Sequence, residues 1–130
     1  MPGEYLLDTN IVIALLDEDP VVLERLSAAQ HVFLSSTALG ELYYGVENSL
    51  RREENRRRLD NLVAAFHILP CDIDTARCYG LIRANLKRKG CPIPENDLWI
   101  ATLSLQHGLV LVTRDKHFHE VPDVTCEDWA

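Results

Sequence analysis

The feature that most restricts this chain is an alternation of short apolar runs with longer segments of helical period. EYLLD, HVFLSS, HILPC and LVLVT are runs of strand length bounded by polar or turn residues. IVIALLD, PVVLERLSAA, TALGELYYGVENSL, REENRRRLDNLVAAF and DIDTARCYGLIRANLKRKG lie between them and read as helices. Leu39, Leu42, Tyr43 and Val46 recur at i, i+3, i+4 and i+7, which is one face of a helix, and Leu59, Leu62, Val63 and Phe66 repeat the pattern. Gly90 stands at a natural helix stop. After two prolines a further helix is expected over about Glu95 to His107, closed by Gly108. LVLVT is the clearest strand, RDKHFHEVPD reads as a loop, and VTCEDW is expected to add an edge strand. Strands that alternate with helices are joined by crossovers rather than hairpins, so they pair in parallel. The expected fold class is therefore α/β, with three layers, α/β/α, around a central mostly parallel sheet.

A length of 130 residues suits one domain spanning 1-130, and a hydrophobic share of 47% allows a core without metal or disulfide staples. No apolar run approaches the roughly 18 residues of a membrane span. MPGEYLL lacks the basic and apolar regions of a signal peptide, so the expected location is the cytoplasm and no membrane partner is expected. Cys71, Cys78, Cys91 and Cys126 form no C-x-x-C pair and fit no common zinc spacing, so they are expected as small, mostly buried thiols. A formal net charge of −7 argues against simple nonspecific binding to nucleic acid. It leaves room for an enzyme whose acids hold divalent cations, because such a site attracts phosphate once metal is bound.

In open α/β sheets the functional residues gather beyond the carboxyl ends of the strands. Four acids fall there. Asp8 ends the first strand, Glu41 lies early in the helix after the second, Asp97 lies in the first turn of the helix near Glu95, and Asp115 follows LVLVT. Each has an ordinary reading as well. Asp8 suits a helix N-cap, although Thr9 and Asn10 are capping residues too. Glu41 does not complete a capping box, since three residues before it stands Ala38, but it can be a plain solvated side chain. Asp97 favours a helix N-terminus, where Glu95 already offers charge, and Asp115 suits a turn in TRDKH. Their convergence outweighs these separate explanations. Clustered carboxylates raise one another's pKa values, and a cation resolves the repulsion. An all-oxygen set favours Mg²⁺ or Mn²⁺ over zinc.

Taken together, LLDTNIVIALL, SSTALGELYYG, IPENDLWIATLSLQHG and LVLVTRDKHF resemble the PIN-domain family, and more narrowly its VapC-type ribonuclease toxins of prokaryotic toxin–antitoxin pairs. The resemblance spans nearly the whole chain. It implies an Mg²⁺- or Mn²⁺-dependent endoribonuclease that cleaves RNA phosphodiesters by metal-activated water, leaving a 5′-phosphate and a 3′-hydroxyl. It carries Asp8, Glu41 and Asp97 over as metal-binding catalytic acids, with Asp115 matching the fourth less closely. Some relatives place an acid directly before the phenylalanine, where this chain has His117. Thr9 and Thr113 match positions whose hydroxyls support the acids. The resemblance also implies a cognate VapB-like antitoxin, an RNA substrate and a homodimer.

Basic residues fall in three groups. Arg51, Arg52, Arg56, Arg57 and Arg58 share a segment with Glu53 and Glu54, which suits a solvated helix face. Lys87, Arg88 and Lys89 precede the Asp97 segment, and Arg114 and Lys116 flank Asp115, so these five are the candidate RNA phosphate contacts. His117 and His119 read as surface loop residues. Tyr43, Tyr44 and Trp99 suit core packing or an interface. The competing functions are another PIN-type nuclease of RNA processing and a noncatalytic PIN-like RNA- or protein-binding module. A dehalogenase-like phosphatase would want D-x-D where this chain has Asp8-Thr9-Asn10. A phosphoacceptor receiver would want paired acids there, and they are absent.

Overall fold

The computed structural model describes residues 3–129. In chain order the elements are β1 (Glu4–Leu7), α1 (Thr9–Leu16), α2 (Pro20–Ala28), β2 (His31–Ser35), α3 (Ser36–Glu47), α4 (Arg52–Ala64), β3 (His67–Leu69), α5 (Ile73–Lys89), α6 (Glu95–His107), β4 (Val110–Val112) and β5 (Cys126–Glu127). The strands form one sheet in the order β3-β2-β1-β4-β5, and every pairing is parallel. The α/β class and its three layers stand as expected.

The alternation of side chains along each strand divides the core in two. On one face Leu6, Leu111 and Leu69 pack with Leu86 of α5 and with Leu98, Ala101 and Leu103 of α6. On the other, Leu7, Leu34 and Val112 pack with Ile11, Val12, Val22, Leu39 and Leu59 from α1 to α4. Leu6 and Leu7 are both fully buried, which is why the first strand reads as a continuous apolar run rather than an alternating one. Burying a leucine stabilises by about 1.5–3 kcal/mol, so these central positions hold the layers together.

Local signals fix where the helices start and stop. Pro20 opens α2, and Asp19 accepts the amides of Val21 and Val22. Asp72 and Thr75 form a reciprocal capping box at the start of α5. Gly90 and Gly108 close α5 and α6 in the left-handed conformation, at φ of 69° and 64°. Three local expectations change. The segment read as a loop contains a short 3-10 helix at Lys116–Glu120, anchored by the fully buried Phe118. The clearest strand covers only Val110–Val112, leaving out Leu109 and Thr113 at the ends of its run. Cys71 is exposed and the other three cysteines are half-buried, so the thiols are unpaired but not core residues.

β1 is the topological switch point. From it the chain winds outward through β2 to β3, then returns across the sheet to β4 on the other side. The crevice beyond the carboxyl ends of β1 and β4 is where such folds bind ligands. Among the described residues, no helix is long and apolar enough to cross a membrane.

Candidate active site

The backbone delivers the acids to this crevice. The amide of Asp8 donates to the carbonyl of Val112 at 2.9 Å, tying the end of β1 to the end of β4. Asp8 is also the N-cap of α1, so its ordinary reading holds, and the same carboxylate stands at the crevice. Its Oδ1 accepts the Thr9 amide at 2.8 Å, and its Oδ2 accepts the Thr113 hydroxyl at 2.7 Å. The Thr9 hydroxyl donates to Glu41 Oε1 at 3.1 Å, which links the starts of α1 and α3. Thr113 Oγ1 in turn accepts the amide of Asp115 at 3.0 Å. Two threonines therefore join three of the four acids, and each fixes a carboxylate that keeps lone pairs for another partner.

Asp97 enters from the other side of the crevice, in the first turn of α6, which packs against α3. Its carboxyl is pushed up to about 6. Burial is the main cause, followed by the charges of Asp8, Asp115 and Glu41, while His117 opposes the shift. Asp8 is raised as well, because burial outweighs its bonds to Thr113 and Thr9, with Asp115 and Glu41 adding repulsion. The charges of Asp115 and Glu41 thus reach both Asp8 and Asp97, which puts the four acids expected from the sequence near one another in the crevice.

The tightest set within it is smaller. One donor atom from each of Asp97, Asp115 and His117 lies within 4.8 Å of the other two. Asp115 caps the 3-10 helix by accepting the His117 amide at 2.9 Å. The imidazole Nδ1 stands 2.9 Å from the same Asp115 Oδ1. His117, read from the sequence as a surface residue, is exposed but leans on the acid cluster. Its signal in the sequence was its place directly before Phe118.

The basic residues sort differently from one another. Lys87, Arg88 and Lys89 form the exposed last turn of α5, and Lys116 is exposed beside Asp115. Arg114 instead turns its guanidinium to Asp19 Oδ2 at 3.2 Å and to the Trp129 carbonyl at 3.1 Å. Its amide also donates to Asn10 Oδ1 at 3.4 Å. Beside Thr9 and Glu41 a groove of about 390 Å³ runs between α1, α3 and α4, past Ile13, Gly45 and Arg58. Gly45 faces open space there.

The raised Asp97 carboxyl has a defined pH signature. A carboxylate raised above its ordinary 3.8 favours the protonated fold, so the metal-free protein loses stability as pH rises through about 6. The melting temperature in EDTA is expected to fall from about pH 4 to about pH 6.5 on this account, and saturating Mn²⁺ is expected to remove most of that fall. The cation displaces the same proton, so its affinity should drop by up to about tenfold per pH unit below 6. A melting temperature in EDTA that rises across this window would contradict the clustering of charge.

Comparison with known proteins gives the family of the fold. The PIN domain family model matches residues 5–124. Ribonuclease VapC2 of Rickettsia felis is 34% identical, over 96% of this chain and 97% of the relative. The tRNA(fMet)-specific endonuclease VapC of Salmonella typhimurium is 35% identical, over 98% of each chain. In solved structures, a chain of the DNA-bound VapBC complex from Salmonella typhimurium superposes with a TM-score of 0.92 at 33% identity, over 98% of both chains.

Proposed function

The chain belongs to the PIN-domain family, and from that premise we propose that it is the endoribonuclease toxin of a toxin–antitoxin pair. The observation that carries the chemistry is the gathering of acids in the crevice beside β1: donor atoms of Asp97 and Asp115 lie within 4.8 Å of each other, and Thr113 and Thr9 hold Asp8 and Glu41 at the same end of the sheet. Such a pocket suits a divalent cation, and its oxygen-rich donors suit Mg²⁺ or Mn²⁺. Asp97 and Asp115 would hold the ion, with Asp8 and Glu41 completing the acidic wall. When bound, the cation supplies Lewis acidity toward a phosphate oxygen and a bound water. Thr9 and Thr113 keep the carboxylates aimed, since each donates a hydroxyl to one of them. Lys87, Arg88, Lys89 and Lys116 offset the acidic pocket and meet the flanking RNA phosphates. Arg114 contributes by bracing the Asp115 segment through Asp19 and Trp129, so its part is positioning.

The partner is a VapB-like antitoxin. The groove between α1, α3 and α4 reaches Thr9 and Glu41, so a segment seated in it covers the rim of the acidic pocket. Ile13, which lines that groove, is exposed and offers apolar area to such a segment. Exposed Tyr44 and Leu50 offer similar area to a second copy in a homodimer.

The test is cleavage of a defined RNA panel by the purified chain, free of antitoxin, in Mg²⁺, Mn²⁺ or EDTA. Initiator tRNA belongs in the panel because the Salmonella relative is named for it. Metal-dependent cutting that Asp8→Ala loses while keeping its fold is the expected result. Equal cutting in EDTA, or by Asp8→Ala, would remove the metal-dependent reading.

A further inference from the structure

Resting on that reading of the pocket, we propose that His117 is a direct ligand of the divalent cation, making this a mixed nitrogen and oxygen site that prefers Mn²⁺ to Mg²⁺. Three observations carry it. Donor atoms of Asp97, Asp115 and His117 already lie within 4.8 Å of one another. His117 Nδ1 and Asp115 Oδ1 are 2.9 Å apart. In the metal-free protein this is an ordinary hydrogen-bond distance between the ring and the carboxylate, and it matches the spacing of about 3.0 Å between adjacent ligands of an octahedral cation with bonds near 2.1 Å, so a cation can replace the shared proton without moving either group. The imidazole is exposed, but the backbone that carries it is held. The His117 amide is bonded to Asp115, and the next residue, Phe118, is fully buried in the core under the sheet. That anchor fixes the 3-10 turn and keeps the ring at the mouth of the crevice.

The preference follows from ligand chemistry. Imidazole nitrogen binds transition metals well, whereas Mg²⁺ takes oxygen ligands and water. Exchanging one oxygen for nitrogen therefore raises affinity for Mn²⁺ more than for Mg²⁺. His119 lies two residues further along the same exposed turn and is absent from the tight set, so it serves as an internal control.

The experiment is electron spin echo envelope modulation on the Mn²⁺-loaded protein, with Mn²⁺ and Mg²⁺ affinities measured by titration. The wild type and His119→Gln should show nitrogen coupling to the manganese, and His117→Gln should lose it. In His117→Gln the Mn²⁺ affinity should fall about tenfold, with Mg²⁺ affinity changing about threefold or less. Asp97→Asn identifies the site, because Mn²⁺ bound there should be lost. Wild-type protein that binds Mn²⁺ through Asp97 with no nitrogen coupling overturns the His117 assignment and leaves the nuclease reading standing. Coupling that survives in His117→Gln overturns it as well. Failure to bind Mn²⁺ at all removes both.

Discussion

Asp97→Asn is expected to cut RNA cleavage by orders of magnitude and, in the same protein, to raise the melting temperature of the metal-free form. The amide is nearly the shape of the carboxylate but carries no charge. It removes a group that burial and three neighbouring acids push up to about 6. At pH 8 in EDTA the wild type holds that carboxylate ionised against repulsion, and the variant does not. One opposing effect must be weighed: an acid in the first turn of a helix stabilises it by about 0.3–1 kcal/mol. Glu95 stays in that turn and keeps part of the benefit. The net gain should be about 1 kcal/mol, or about 3–5 °C. Cleavage should fall by about two to three orders of magnitude, the scale of losing a group aimed at developing charge. Melting curves at pH 8 and single-turnover cleavage measure the two halves. A variant less stable than wild type at pH 8 in EDTA would sink the repulsion account, and one that cuts normally would sink the catalytic role.

The second large effect lies at the other end of the chain. Trp129 is only 1% exposed and meets Tyr5 edge to face at 5.2 Å. Its indole N–H donates to Glu127 at 2.8 Å, and its carbonyl accepts Arg114 at 3.1 Å. Trp129→Ala should cost about 3–5 kcal/mol, from lost burial plus the cavity left beside β1. A domain of this size should then melt about 10–20 °C lower. Trp129→Phe keeps most of the ring packing and should lose less than half as much. Activity in Trp129→Ala should fall with the folded fraction, and the Arg114 brace beside Asp115 should loosen further. A shift of less than about 2 °C would show that this ring is not part of the core.

These two residues mark how much the sequence disclosed. Asp97 was legible because NDLWIATL repeats a spacing seen in the family, and because two prolines announced the helix carrying it. The alternating apolar runs placed the strands and α-helices of the described chain, since each is bounded by polar, proline or glycine residues, but not the 3-10 helix after β4. Asp8 posed a choice between cap and site that the fold dissolves, because a carboxylate capping α1 also faces the crevice. Trp129 was different. A tryptophan after a two-residue strand carries no periodicity, and only the return of β5 alongside β4 shows that its ring covers β1. Arg114 was read as a phosphate contact from its neighbours in the chain, while its ion-pair partner Asp19 comes from the turn before α2, 95 residues earlier. His117 shares that difficulty: one histidine in a polar stretch signals nothing until the buried Phe118 beside it fixes the turn.

The central position of β1 has a consequence for how the activity arises during folding. Its first neighbour, β2, is close in sequence, with Leu7 opposite Leu34, whereas its second neighbour, β4, pairs Leu7 with Val112. Contacts that close long loops form late, because their entropy cost precedes their reward. The half built from β1, β2 and β3 can therefore assemble while Asp8 still lacks Thr113, its partner 105 residues away. A chain at that stage holds Asp8 and Glu41 but neither Asp97 nor Asp115 in place. If the four acids carry the reaction as proposed, ribonuclease activity depends on the finished sheet, since the strand pairing that joins β1 to β4 also joins Asp8 to Thr113.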